Sequence, residues 1–156
     1  MSNSLAITVL TWNDWKNTIE CLESIYQSTF KKFDIILVNN NSEKKHIEKI
    51  YQWSRNEIDT RNELVTFNSS KKIDIIEVDK NLVIKNKGDS KIYLINSTAV
   101  NQKERWAVNL GCTAGINLGY KFSISQGYKY IARIDCDFII TNNYLEGIIN
   151  TLEQNQ

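Results

Sequence analysis

Four times along this chain a short apolar run rich in β-branched residues ends in a polar cluster, and a stretch with helical spacing follows. LAITVL at 5–10 passes through TWND into a segment where Trp15, Ile19, Leu22 and Tyr26 recur at helical spacing, with Asn13 or Asp14 placed to cap its first turn. FDIILV at 33–38 passes through NNNS into a helical stretch carrying Ile47, Ile50 and Tyr51. KIYLINS at 91–97 precedes NLGCTAGINLGYKFSISQG, in which Ala114, Leu118 and Phe122 form a helical stripe and Gly127 stands where a helix would stop. YIARID at 130–135 runs into Asp135-Cys136-Asp137, and NNYLEGIINTLEQ closes as an amphipathic helix with Leu145, Ile148, Ile149 and Leu152.

Strands alternating with helices predict an α/β fold, a mostly parallel sheet with helices on both faces. Ligands of such sheets sit beyond the carboxyl ends of the strands. The loops to inspect are therefore Thr11 to Asp14, Asn39 to Ser42, Asn109 to Asn117, and Asp135 to Asp137. Residues 54–90 read as an insertion with one or two short strands among LVTF, IDIIEV and LVIK, and with KNKGDS as a turn. There is no internal repeat or dividing linker, so 1–156 reads as a single domain.

Composition narrows the function classes. Nineteen Lys and Arg against eighteen Asp and Glu leave a formal charge of +1, which gives no global electrostatic case for nucleic acid. No apolar run approaches the roughly 20 residues of a membrane helix, and MSNSLAITVL lacks a basic start followed by a long apolar core. A cytoplasmic location is expected. Cys21, Cys112 and Cys136 are too widely spaced for a Cys-x-x-Cys site and read as free thiols. The one histidine, His46, lies in SEKKHIEK and reads as part of a solvated helix face, so zinc-hydrolase and Cys–His schemes have little to build on.

Three features carry chemistry. Asp135 and Asp137 alternate with Cys136 at the end of an apolar strand, so the two carboxylates are expected to point the same way and Cys136 toward the opposite side. Such a pair can hold a hard divalent cation, or simply cap a strand as solvated groups. Gly111, Gly115 and Gly119 match neither GxxxxGK[ST] nor GxGxxG. Their spacing of four suits either close packing of a helix on the sheet or backbone approach to a ligand. Asn39, Asn40 and Asn41 offer amide donors and acceptors suited to a nucleobase edge, and a run of Asn also makes an ordinary turn.

Together ITVLTWNDWKNTIECLESIYQSTF, DIILVNNNSE and NLGCTAGINLGYKFSISQGYKYIARIDCD resemble the nucleotide-sugar-binding half of a family 2 glycosyltransferase with the GT-A (Rossmann-like) fold. The likeness is greatest to rhamnosyltransferase-type members, some of which carry an insertion before the third strand. The resemblance implies transfer of a sugar, with inversion, from a nucleoside diphosphate sugar to a hydroxyl acceptor, a glycan or lipid-linked glycan of the cell-wall polysaccharide kind. It places Thr11, Asn13, Asn39, Asn41, Gly115, Asn117 and Asp135 at the donor, and Asp137 with Asp135 on Mn²⁺ or Mg²⁺. It also implies a cytoplasmic enzyme, peripheral at the inner membrane face. Asn39 stands where the family usually has Asp, and Ala114 and Ile116 replace the more common Gly and Asn of a Gly-Gly-Asn-Asn run. The family's catalytic base comes from a segment well beyond the D-x-D, and the chain stops about twenty residues after Asp137. Glu146 and Glu153 read as a solvated helix face, so no base is assigned and a truncated donor-binding part is expected. The alternative is a non-catalytic nucleotide-binding or interaction module that needs self-association or a completing chain.

Overall fold

The computed structural model describes residues 4–58, 72–79, 81–84, 92–97 and 109–155. Five strands, β1 (Leu5–Thr11), β2 (Phe33–Asn39), β3 (Ile75–Val78), β4 (Ile92–Asn96) and β5 (Tyr130–Asp135), form one parallel sheet in the order β3-β4-β2-β1-β5. Among the described residues four helices accompany them: α1 (Trp15–Tyr26), α2 (Lys44–Ser54), α3 (Cys112–Ser125) and α4 (Tyr144–Gln154). IDIIEV supplies β3, and Ile84 of LVIK makes an antiparallel bridge to Val78. LVTF and KNKGDS lie outside the described residues.

Both faces of the sheet are covered, as parallel pairing demands. On one face Leu5, Ile7 and Val9 of β1 pack with Ile19 and Leu22 of α1, Ile50 and Trp53 of α2, and Leu145 and Ile149 of α4. On the other, Ala6, Ile36 and Val38 pack with Leu118 and Phe122 of α3. Strand alternation explains the division, since odd positions of β1 face α1 and even positions face α3. On the first face α1 and α2 are also joined by a polar contact, Trp53 Nε1 donating to the buried Glu23 carboxylate at 2.7 Å. Asp14 caps α1, its Oδ1 accepting from the backbone N–H of Asn17 at 3.3 Å.

The helix α3 lies unusually close to β1. A Cβ built on Gly119 would fall 2.4 Å from Thr8 Cγ2, and one on Gly115 would fall 2.5 Å from Leu10 Cδ1. These two glycines are therefore close-packing residues. They also shift the buried stripe. Gly115, Ile116, Leu118, Gly119 and Phe122 are buried, whereas Ala114, expected in the stripe, is exposed. The contact line runs through glycines, which a hydropathy pattern does not register. On α4 likewise only Leu145 and Ile149 are buried, and Ile148 and Leu152 remain exposed.

Chain direction across the sheet reverses at β1: α1 carries the chain to β2 on one side, and α3 returns it to β5 on the other. This leaves a crevice beyond the carboxyl ends of β1 and β5, the switch point at which α/β sheets take their ligands.

Gly119→Ala is expected to lower unfolding free energy by about 1–3 kcal/mol because Thr8 must yield. Gly147→Ala, inside α4 with no atom near its added Cβ, should raise it by about 0.5–1 kcal/mol. Urea denaturation of the two variants checks both signs.

Candidate functional site

The loops after β1 and β2 are stitched to each other. Asn13 adopts a left-handed backbone (φ 53°), its N–H donates to Ser42 Oγ at 3.0 Å, and its Oδ1 accepts from the Glu43 N–H at 2.7 Å. Asn39 Oδ1 accepts from the Ser42 N–H at 2.8 Å, and Asn39 Nδ2 donates to Asn96 Oδ1, also at 2.8 Å. Thr11 is buried, its hydroxyl shared with that of Thr18 at 2.7 Å and its carbonyl accepting from the Asn40 N–H at 2.9 Å. Asn41, half-buried, is also left-handed (φ 63°), a conformation Asn tolerates better than most side chains.

Asn40 extends the network to α3. Its Nδ2 donates to Asn109 Oδ1 at 2.6 Å and to the Gly111 carbonyl at 3.3 Å, while its Oδ1 accepts from the Leu110 N–H at 3.0 Å. Asn109 Oδ1 in turn accepts from the Gly111 N–H at 2.6 Å. Only 1% of Asn40 is exposed. The asparagine run thus spends much of its amide capacity within the protein, Asn39 and Asn40 holding loops and the approach to α3. Sequence reading did not single out Asn40, Asn96 or Asn109 as structural partners. The available signal was that asparagine recurs after three different strands.

On the other side of the crevice, β5 ends at Asp135, and Cys136 and Asp137 lie in a turn closed by the Phe138 N–H donating to the Asp135 carbonyl at 3.0 Å. Strand alternation therefore stops short of Asp137, and the expectation that it alternates with Asp135 on one strand face does not apply. Asp135 is half-exposed and ion-paired with Arg133, whose Nη2 and Nε reach Oδ1 at 2.6 and 2.8 Å. Arg133 Nη2 also donates to Cys112 Sγ at 3.2 Å, on the first turn of α3. Asp137 is exposed.

The thiols register the charge gathered here. Burial pushes Cys21 up to about 12, and Cys136, Asp137 and Asp135 add to the rise. Cys136, half-buried, is also raised, first by burial and then by Asp14 and Asp137. Cys136 thus feels carboxylates both from the start of α1 and from the turn after β5. All three cysteines are free thiols.

The remaining expected residues flank this region. Asn117 is exposed on α3, Gly115 is buried against Leu10, and Gly111 caps α3 with positive φ and no side-chain capping bond. Glu146 accepts from Thr29 Oγ1 at 2.6 Å and Glu153 lies 3.7 Å from Lys129 Nζ, so both acids of α4 are engaged at the protein surface. Among the described residues no three acidic, thiol or imidazole groups form a metal cage. The two carboxylates expected at a cation stand at this turn, Asp135 paired with Arg133 and Asp137 exposed. A cavity of about 580 Å³ lies elsewhere, between α2 and β3, lined by Ile47, Tyr51, Ile75 and Glu77 with Lys44 and Arg55. No helix of the described residues is long and apolar enough to cross a membrane.

The fold has a counterpart among solved structures. TarS 1-349 of S. aureus, a family 2 glycosyltransferase of the GT-A fold, aligns with a TM-score of 0.52 at 14% identity, covering 96% of this chain and 32% of that one. At that identity the likeness is one of fold, and the match spans about a third of the TarS 1-349 chain. No protein-family model and no curated protein matches the sequence.

Asn40→Ala removes three contacts between the β2 loop and the approach to α3, and is expected to cost about 1–3 kcal/mol of stability. A denaturant midpoint unchanged from the wild type would show that this amide is not a structural tie.

Proposed function

We propose that this chain is the donor-binding part of a family 2 glycosyltransferase that transfers a sugar from a nucleoside diphosphate sugar to a hydroxyl of a glycan or lipid-linked glycan, with inversion. The observation that carries this reading is the reversal of strand order at β1, which brings the Thr11–Asp14 and Asp135–Asp137 loops to one crevice of a GT-A-like sheet. In this reading the buried Thr11 and the left-handed Asn13 form one wall of the nucleotide pocket. Asn39 and Asn41 shape the base side, Asn39 through the Ser42 loop that it holds. Asn117 and the first turn of α3, which the Gly115 packing sets in place, lie toward the donor, and Asp135 meets the ribose or sugar.

Asp137, with Asp135, would hold Mn²⁺ or Mg²⁺, which supplies neutralisation of the negative charge on the leaving diphosphate. The chain's own residues bind and orient: two stitched loops keep the pocket's shape, and the helix terminus offers free N–H groups to an anion. The general base that inversion requires is assigned to no residue here.

A second reading, a non-catalytic nucleotide-binding or interaction module completed by another copy or chain, is favoured by one observation. Phe138, Ile139, Tyr144, Ile148 and Leu152 are exposed along the last segment, and Ile131 is exposed on β5, the edge strand beside it.

Titration calorimetry with UDP, dTDP and GDP separates the readings. At least one should bind with Mn²⁺ and lose affinity without it, and Asp137→Ala should lower the metal-dependent affinity about tenfold or more. No heat with any of the three removes the donor site. Size-exclusion chromatography with light scattering that shows a stable monomer removes the self-association form of the second reading.

A further inference from the structure

We infer that Arg133 controls the availability of Asp135: the guanidinium holds that carboxylate and exchanges it for the diphosphate of an arriving donor, so that nucleotide and cation bind as a pair. The inference rests on the donor-binding reading and adds to it a residue that the resemblance does not assign.

The geometry starts from strand period. Arg133 and Asp135 lie two apart on β5, so both side chains leave the same face of the sheet, the one covered by α3. Nε and Nη2 of Arg133 both reach a single carboxylate oxygen, Oδ1, and Nη2 also reaches Cys112 Sγ on the first turn of α3. A guanidinium carries five N–H donors in a fixed plane, so the fork has capacity beyond this one oxygen. Side-chain exposure is 41% for Arg133 and 44% for Asp135. A pair this open is weakly held and screened by water, and separating it costs little.

What replaces the carboxylate follows from the surroundings. Arg133 stands against the N-terminus of α3, where the N-cap Gly111 provides no side-chain acceptor for the first-turn N–H groups. A planar fork and a helix N-terminus both favour a tetrahedral oxyanion with several acceptor oxygens over a single carboxylate oxygen. A diphosphate therefore competes well for Arg133. Once it does, Asp135 regains its full negative charge beside Asp137, and the turn becomes a two-carboxylate site next to phosphate oxygens. Before the exchange, a cation meets Asp135 already neutralised, and Asp137 alone attracts it. The pair thus makes metal affinity conditional on nucleotide.

The test uses the whole chain and three probes: Mn²⁺ alone, followed by the electron paramagnetic resonance signal of the free ion; UDP, dTDP and GDP alone; and each nucleotide with Mn²⁺. For the wild type, Mn²⁺ alone should bind weakly and a nucleotide should tighten it. Arg133→Gln should move the two affinities in opposite directions, tightening Mn²⁺ alone about tenfold, the low end for removing a cation beside a carboxylate, and weakening nucleotide about tenfold through loss of a charge-assisted fork. Arg133→Lys should recover part of both effects. In an Asp135→Asn background, Arg133→Gln should no longer tighten Mn²⁺, because the carboxylate it frees is gone.

A wild type that binds nucleotide, together with a folded Arg133→Gln variant whose Mn²⁺ affinity is unchanged or weaker, overturns the exchange and leaves Arg133 as a tie between β5 and α3. A wild type that binds none of the three nucleotides overturns the donor reading, and the exchange with it. Should Arg133→Gln fail to fold, Asp135→Asn alone decides: it should leave the weak affinity for Mn²⁺ alone nearly unchanged and lower the affinity measured with nucleotide present, and equal losses in both overturn the proposal.

Discussion

The contact on which the structure depends is the approach of α3 to β1 through Gly115 and Gly119. Two side chains reduced to hydrogen let the helix backbone rest on Leu10 and Thr8. The consequence lies at the helix's other end. Because α3 is seated by its middle, its first turn is held over the carboxyl ends of the strands, where Cys112 meets Arg133 and the preceding residues meet Asn40. A larger residue at either glycine would lift the helix and open the site from behind.

The second constraint is the reversal of chain direction at β1. Since β1 sits between β2 and β5, its terminal loop borders both neighbours, and residues distant in sequence share one rim. The two sides of that rim are built differently. The β2 side is a lattice of neutral amides and hydroxyls, with Asn13, Asn39, Asn40, Ser42 and Asn109 each satisfying a neighbour. The β5 side is ionic, with Arg133, Asp135 and Asp137 in or near one turn.

Much of the framework was legible because strand and helix differ in period. LAITVL, FDIILV, KIYLINS and YIARID supply the four strands expected of them, and α1 starts where a capping residue stands, Asp14 taking the cap in preference to Asn13. Illegible features were those whose cause is three-dimensional. The spacing of the glycines already offered close packing of α3, which Leu10 and Thr8 opposite Gly115 and Gly119 bear out, whereas that Ala114 would lie exposed beside them was not legible. Asn39 reads as a free donor and acceptor until Asn96 and Ser42 arrive to use it. Asp137 reads as a strand residue because two-residue alternation extends past Asp135 on paper, whereas the chain turns there. Arg133 carried a signal that went unread: it shares strand parity with Asp135, so an ion pair between them required no knowledge of the fold.

The division between a neutral rim and an ionic rim separates shape from affinity. Asparagine amides and hydroxyls neither titrate near neutrality nor respond strongly to ionic strength, so the outline of the pocket stays the same as acidity and salt vary. The charges of Arg133, Asp135 and Asp137, all at or near the surface, are screened by salt. Solution conditions therefore act on this protein as a volume control on capture, and the mould into which the ligand fits is left alone.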